Sequence, residues 1–213
     1  MKSVVVLLSG RGSNLHALLE AKLPIKIAAV ISNNPQAAGL DIAKTYGIET
    51  LIVDHRTFPG RAAFDTGLTR EIDHYQPDLI VLAGFMRILS DAFVTRYSGR
   101  MINIHPSLLP SFPGMNTHMQ ALRAGVKIHG CSVHFVTPKV DHGPIILQAA
   151  VPVLADDTEQ TLAARVLEQE HVILPEAVRW FAEDRLDGTP KVAINLNDAA
   201  LSHAYLRSPW ETQ

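Results

Sequence analysis

The sequence predicts an α/β fold: a doubly wound, mostly parallel sheet flanked by helices, with an antiparallel pair of strands late in the chain and a long C-terminal helix. In the N-terminal half, short apolar and β-branched runs alternate with longer amphipathic stretches. This alternation implies right-handed crossovers and therefore a parallel sheet. Later, two apolar runs are separated by only residues 137–143. That connection is too short for a crossover helix, so this pair is expected to be antiparallel.

The predicted strands begin with Val4–Leu8, whose unbroken apolar character is typical of a strand that is buried on both faces. The runs that repeat this type are Ile25–Ile31, Thr50–Val53, Leu79–Leu82 and Met101–Ile104. The late antiparallel pair comprises Gly130–Val136 and Pro144–Val153. In a doubly wound sheet, ligands bind beyond the carboxyl ends of the parallel strands, so the residues that follow these runs are the first candidates for a site.

Amphipathic stretches between the strands predict helices. They are Asn14–Ala21, Ala37–Tyr46, Arg61–Tyr75 and Thr117–Ala124. A long irregular loop, rich in proline, is expected after residue 105, and such loops are often functional.

The last helix is predicted from near Asp157, with Gln160 in a capping-box-like position, to about Arg185. Pro175 is expected to interrupt this helix and to free the carbonyl of His171. We expect one domain over residues 1–188 and a mobile tail over residues 189–213.

Composition narrows the class of protein. Of 213 residues, 47% are hydrophobic and 19% charged, which is enough apolar material for a core. The net charge of −2 lacks the basic excess that nucleic-acid binding demands. The single Cys131 excludes an intramolecular disulfide, and the first apolar run is too short for a signal peptide or membrane span. We therefore expect a cytoplasmic protein without a nucleic-acid or membrane partner.

The segment Ser9–Leu15 follows the first strand directly and opens the first helix, where free N–H groups and the helix dipole attract phosphate. It does not match the dinucleotide fingerprint, because Leu15 stands where a third small residue is needed and no acid follows the second strand, at residues 32–34. The segment could instead hold a terminal phosphate monoester. A helix cap without a ligand is the alternative.

Two polar residues end the fifth predicted strand. Asn103 and His105 are two residues apart, so they share one face, while Ile102 and Ile104 point oppositely into packing. An amide and an imidazole side by side can stabilise a developing oxyanion. Pro106 holds His105 in an extended conformation. From these residues alone, a catalytic pair and a hydrogen-bonded core pair are equally good interpretations.

Asp141 lies in the connection between the two late strands. If the fold brings it near His105, it would orient the ring and offer a general base; otherwise it is an ordinary turn residue. Five of the ten histidines lie between His105 and His142, but we expect no metal site. The sequence has neither a His pair at i, i+4 on a helix with a nearby acid nor a cysteine cluster. The Gly-x-Ser-x-Gly motif of serine hydrolases is absent.

Five segments together resemble the phosphoribosylglycinamide formyltransferase family, which has a Rossmann-like formyltransferase fold. They are Ser9–Leu15, Leu82–Leu89, Asn103–Pro110, His129–Val136 and Gln169–His171. The resemblance runs from Met1 to about Arg185, and five motifs in order are far more specific than any one of them. It implies transfer of the formyl group of 10-formyltetrahydrofolate to the amine of N1-(5-phospho-D-ribosyl)glycinamide, in purine biosynthesis, without a metal.

The resemblance also implies roles for individual residues. The catalytic residues would be Asn103, His105 and Asp141. The ribonucleotide would be held by Gly12, Ser13, Asn14 and Glu170. The folate pocket would contain Arg61, Met86, Arg87, Ile88, Leu89, Thr137, Pro138, Lys139, Val140 and Asp141. His142 departs from the small residue expected there, and we expect the larger side chain to alter the geometry of the folate loop.

Competing functions remain at this point. A hydrolase of the same family would release formate from 10-formyltetrahydrofolate, but it normally carries an extra N-terminal module. About 28 residues lie beyond Arg185, where the resemblance ends, and they are too few for such a module. Transfer to an aminoacyl-tRNA is disfavoured by the near-neutral charge and the missing C-terminal domain. A non-catalytic binding module would have no use for all three of Asn103, His105 and Asp141. The expected assembly is a monomer or a homodimer.

Overall fold

The computed structural model describes residues 1–186, and the proposed tail, 189–213, lies outside that range. Seven strands and six α-helices follow one another within these residues, and strands and helices alternate up to β6. The strands are β1 (Lys2–Leu8), β2 (Ile25–Ser32), β3 (Thr50–Ile52), β4 (Leu79–Leu82), β5 (Met101–His105), β6 (Ile128–Phe135) and β7 (Ile145–Pro152). The helices are α1 (Ser13–Glu20), α2 (Ala38–Thr45), α3 (Arg61–His74), α4 (Asp91–Arg96), α5 (Thr117–Ala124) and α6 (Glu159–Ala182).

The seven strands form one sheet in the order β3-β2-β1-β4-β5-β6-β7. The first five strands are parallel, whereas β6 runs antiparallel to both β5 and β7. The predicted doubly wound sheet with a late antiparallel pair is therefore confirmed. The order reverses at β1, which pairs with β2 on one side and β4 on the other, and this reversal opens a crevice at the carboxyl ends of the strands.

Strand β1 contributes apolar side chains to a core on each face of the sheet, because its residues Val4–Leu8 are all apolar and buried. On one face, Val4 and Val6 pack with residues of α1, α2 and α6. On the other, Val5 and Leu7 pack with residues of α3 and α4. Successive strand residues point to opposite faces, so an unbroken apolar run supplies both cores.

Helix α4 was not predicted. Six residues are too few for a clear amphipathic period, but its start carries a recognisable signal: the backbone N–H of Phe93 donates to Ser90 Oγ at 3.4 Å. The 3₁₀ turn His55–Thr57, capped by the side chain of Asp54, was missed for the same reason.

Two expectations about the last helix were wrong. Its cap is Thr158, which forms a capping box with Thr161, rather than Asp157 with Gln160. Helix α6 also continues through Pro175 without a break. Pro175 is buried, and its neighbours Leu174 and Ala177 belong to the core that also contains residues of α1 and the sheet. Tertiary packing therefore outweighs the hydrogen bond that a proline cannot donate to His171. No helix among residues 1–186 has the length and apolar character that a membrane span requires.

Candidate active site

A cavity of about 450 Å³ lies where β4 and β5 end, next to the point where the strand order reverses. Asn103, Ile104 and His105 line it. The side chains of Ile102 and Ile104 belong to the core on the α6 side of the sheet, and Asn103 and His105 do not. The alternation predicted for this strand is thus confirmed. His105 is the last residue of β5, and the irregular loop from Pro106 begins directly after it.

The fold brings Asp141 to His105. Asp141 Oδ2 lies 3.6 Å from His105 Nδ1, and both side chains are largely buried. Asp141 sits in the connection between β6 and β7 with φ of 54°, a left-handed conformation that aspartate tolerates better than most residues. Burial strengthens the attraction between a carboxylate and an imidazole, so this placement favours an oriented His105 ring.

The proline-rich loop holds both members of this pair. His105 Nε2 lies 3.1 Å from the carbonyl oxygen of Phe112, and the backbone N–H of Gly114 donates to Asp141 Oδ2 at 2.8 Å. The loop also contains a cis peptide bond between Leu109 and Pro110. The loop was predicted to be functional, but these backbone contacts carry no sequence signal, since any residue has a carbonyl and nearly any has an N–H.

His134 is a site residue that sequence reasoning missed. It stands opposite Asn103 in the β5–β6 register, with its Nε2 3.2 Å from Asn103 Nδ2 and 3.8 Å from Asp141 Oδ1. Its Nδ1 lies 2.9 Å from the carbonyl oxygen of Phe135. Burial lowers the pKa of His134, so the ring is neutral at pH 7. With its proton on Nδ1 toward the carbonyl, Nε2 accepts from the Asn103 amide.

The phosphate-type loop precedes α1 and requires glycine at one position. Gly12 is the N-cap residue of α1, with φ of 80°. A Cβ on Gly12 would lie 2.4 Å from the Cα of Gly39, so both conformation and space exclude a larger residue. No side chain caps this helix start, which leaves N–H groups of the first turn, beginning at Ser13, available to an anion.

Asn14 and Glu170 meet at the edge of this loop. The Asn14 side chain donates from Nδ2 to Glu170 Oε2 at 2.8 Å, and each residue is 8% exposed. Burial raises the pKa of Glu170, while the Asn14 hydrogen bond and the nearby charges of His105 and Arg11 oppose that effect. The Oδ1 atom of Asn14 is buried without a hydrogen-bond partner among residues 1–186. A buried acceptor and a buried carboxylate side by side suit a ligand that carries hydroxyl or amine donors.

Most of the residues assigned to folate line the cavity. They are Met86, Arg87, Ile88, Leu89, Thr137, Pro138, Val140 and Asp141. Three of these residues are large and apolar but at least half exposed: Met86 at 61%, Ile88 at 56% and Val140 at 50%. Such exposure is expected at the rim of a site for an apolar ligand. Arg61, at the start of α3, and Lys139 do not line the cavity.

His142 is exposed and does not line the cavity. Its Nδ1 lies 2.6 Å from the carbonyl oxygen of Val140, within the same turn. The following Gly143 is tightly enclosed, since a Cβ there would lie 1.7 Å from the carbonyl oxygen of Phe135. Within the described part of the chain, no group of three or more His, Cys, Asp or Glu residues is arranged to hold a metal ion.

Known proteins of similar sequence show which family this chain belongs to. The sequence model of the family described as formyl transferase matches residues 2–178. Phosphoribosylglycinamide formyltransferase of Escherichia coli (strain K12) is 53% identical over 188 residues, which make up 86% of this chain and 89% of that protein. The trifunctional purine biosynthetic protein adenosine-3 of Bos taurus is 51% identical over 183 residues, 84% of this chain but only 18% of that protein.

A solved structure has the same fold over nearly its whole length. Glycinamide ribonucleotide transformylase 1 from Symbiobacterium toebii superposes with a TM-score of 0.88 at 48% sequence identity, covering 91% of this chain and 94% of that one. The family match covers far more than half of the chain, and the relatives share its sequence as well as its fold. The chain belongs to the formyl transferase family.

Proposed function

We propose that this protein is a one-carbon transferase of purine biosynthesis that moves the formyl group of 10-formyltetrahydrofolate to the amine of N1-(5-phospho-D-ribosyl)glycinamide. The observation that carries the proposal is the convergence of Asn103, His105 and Asp141 at one wall of the cavity. The similarity to the phosphoribosylglycinamide formyltransferase of Escherichia coli supports this choice of substrates.

The two substrates would lie on opposite sides of this triad. The phosphate would bind at Gly12, Ser13 and Asn14, where the start of α1 has no side-chain cap. Glu170, held by Asn14, would accept hydrogen bonds from the ribonucleotide. Met86–Leu89 and Thr137–Asp141 would enclose the folate, with Arg61 and Lys139 reaching only the parts that extend beyond the cavity.

The reaction joins the substrate nitrogen to the formyl carbon. The amine attacks the carbonyl carbon, a C–N bond forms, and the carbonyl oxygen becomes an oxyanion. Asn103 and protonated His105 would donate hydrogen bonds to that oxyanion, and a single such donor is typically worth about 3 kcal/mol in the barrier. Asp141 would orient His105 and relay the amine's proton, directly or through water. Collapse of the intermediate breaks the bond to folate N10, which takes up a proton.

Holding both substrates side by side supplies an entropic share of the acceleration. All of these steps use side chains and bound substrates, so the proposed reaction needs no metal. The partners in this proposal are small molecules, not nucleic acid or membrane, and the protein would act in the cytoplasm as a monomer or homodimer. Residues 1–188 would form the catalytic domain and 189–213 a tail.

One assay tests the proposed function. The purified protein is mixed with 10-formyltetrahydrofolate, with and without the ribonucleotide, and both tetrahydrofolate and formate are measured. We expect tetrahydrofolate to form only when the ribonucleotide is present, with an equal amount of formylated product. Formate release without the ribonucleotide would identify a hydrolase instead. Binding of both compounds without turnover would identify a non-catalytic module.

A further inference from the structure

The extended segment 86–89, which lines the cavity, is held at both ends by side chains from other parts of the fold. At its start, the backbone N–H of Met86 donates to Ser9 Oγ at 2.7 Å. Just past its end, the backbone N–H of Ser90 donates to Asp65 Oδ2, also at 2.7 Å. Between these two bonds, the N–H and C=O groups of residues 87–89 have no hydrogen-bond partner within residues 1–186. Those groups remain available to a ligand.

The hydroxyl of Ser9 is oriented to accept the hydrogen bond from the backbone N–H of Met86. It donates to Asn33 Oδ1, which leaves an oxygen lone pair for the N–H of Met86. Asn33 is itself buried, and its Nδ2 lies 3.1 Å from His55 Nδ1. The backbone N–H of Ser9 also donates to the carbonyl of Gly84 at 3.0 Å. Ser9 directly precedes the phosphate-type loop, so one residue connects that loop to the segment 86–89.

Asp65 is a buried carboxylate that stability alone does not explain. It lies on α3 among apolar residues of the core and is 4% exposed. Its Oδ1 atom has no hydrogen-bond partner in the described part of the chain, and its Oδ2 atom accepts only from Ser90. A carboxylate buried with one hydrogen bond is less favourable for folding than an apolar residue of similar size. Its evident contribution is to hold the end of the segment.

We propose that Ser9 and Asp65 are positioning residues for the formyl-folate half of the site. The inference rests on the proposed function. It also explains how the segment 86–89, which has no internal hydrogen bonds, can be ordered well enough to recognise a flat ring. The ligand class is a planar heterocycle with amide-like donors and acceptors, such as a pterin. Recognition of such a ring requires the backbone groups of residues 87–89 to be held in register, and the two flanking bonds do this from outside the segment.

The test compares variants that remove an anchor with variants that keep it. Asp65→Ala removes the acceptor, whereas Asp65→Asn keeps one side-chain oxygen, and Thr66→Ala, at an exposed neighbouring position on α3, is the matched control. For Asp65→Ala we expect the Kd for tetrahydrofolate and the KM for 10-formyltetrahydrofolate to rise about tenfold, with the KM for the ribonucleotide within twofold of wild type. Asp65→Asn and Thr66→Ala should remain within about threefold of wild type in every constant.

Ser9 provides an independent arm that decides the question if Asp65→Ala does not fold. Ser9→Ala should weaken tetrahydrofolate binding about tenfold, Ser9→Thr should restore it, and Ser3→Ala at the other end of β1 should have no effect. Hydrogen exchange of residues 84–92 should accelerate in the Ala variants. Unchanged folate binding in the folded Ala variants, or an equal loss for both substrates, would overturn this inference alone. A wild-type protein that does not bind tetrahydrofolate would overturn the proposed function as well.

Discussion

The side-chain amide of Asn103 on β5 donates a hydrogen bond to His134 on the antiparallel strand β6, with 3.2 Å between Asn103 Nδ2 and His134 Nε2. The contact fixes which way the amide of Asn103 faces, because His134 is neutral and its other nitrogen points to the Phe135 carbonyl. His134 lines the cavity and is also placed to act through Asn103. Its position on a strand beside Asn103, not any spacing along the chain, gives it this role.

Removing this acceptor should slow catalysis. We expect His134→Met, which has similar length without a nitrogen, to lower kcat about fivefold, since a side-chain hydrogen bond is worth roughly 1 kcal/mol. His134→Gln places an oxygen near the former Nε2 and should retain most of the activity. The measurement is steady-state kinetics with saturating substrates, accompanied by thermal melting. Equal activities for the Met and Gln variants would contradict the positioning role.

Asp141→Asn should lower kcat by about 10²-fold or more while leaving the fold intact. The amide keeps an oxygen for the N–H of Gly114 but loses the charge that lies 3.6 Å from His105. General acid–base groups contribute about 10²–10⁴-fold, which sets the expected scale. His105→Ala should cost at least as much. A kcat near wild type in either folded variant would rule out the proposed triad.

Glu170→Gln should weaken binding of the ribonucleotide and spare the folate. The carboxylate is buried beside the phosphate-type loop and accepts from Asn14. Because a hydrogen bond to a charged group is worth roughly 1.5–3 kcal/mol, the KM for the ribonucleotide should rise at least tenfold. The control is Glu168→Gln, two residues earlier on α6 at an exposed position. A rise in the KM for 10-formyltetrahydrofolate of the same size would contradict this assignment.

His129 should make folding stability depend on pH. Burial lowers its pKa from 6.5 to about 4, and the nearby His118 acts in the same direction. The unfolded chain therefore binds the proton more readily, so this contribution is complete above pH 6.5 and is lost as the pH falls toward 4. The full effect corresponds to roughly 3 kcal/mol as an upper bound.

The comparison is urea unfolding of wild type and His129→Phe between pH 8 and pH 5. Phenylalanine fits an apolar setting, since the ring of Phe112 lies 5.8 Å from that of His129. The difference in unfolding free energy between the two proteins should shift in favour of the variant as the pH falls. A difference that stays constant across this range would show that His129 does not carry the pH dependence.

The fold class was predictable because it depends on local patterns. Residues 4–8 are apolar without a break, which is typical of a strand that is covered on both faces. The connection between β6 and β7 has only nine residues, 136–144, which is too short for a crossover helix. Helix α4 escaped prediction since six residues cover less than two turns. The prediction of a break at Pro175 was wrong. The free-energy cost of a proline inside a helix can be read from the sequence, whereas the packing that offsets it involves residues from the whole core.

The resemblance to the family predicted the candidate site residues, but their contacts could not be predicted from the sequence. Asn14 and Glu170 are 156 positions apart and share one hydrogen bond. The residues that hold the segment 86–89 are likewise distant from it in sequence, since Ser9 and Met86 are 77 positions apart. Local pattern carries no information about such pairs, since their distance depends on how the strands are ordered in the sheet.

The sequence by itself determined the alternation of strands and helices, the shared face of Asn103 and His105, and the chemistry those side chains can perform. Periodicity and side-chain type suffice for these features, because both belong to a residue and its near neighbours. Only the tertiary structure placed Asp141 beside His105 and His134 behind Asn103. The pairing of β6 between β5 and β7 brings these groups together, and in that buried setting their charges and hydrogen bonds act strongly on one another.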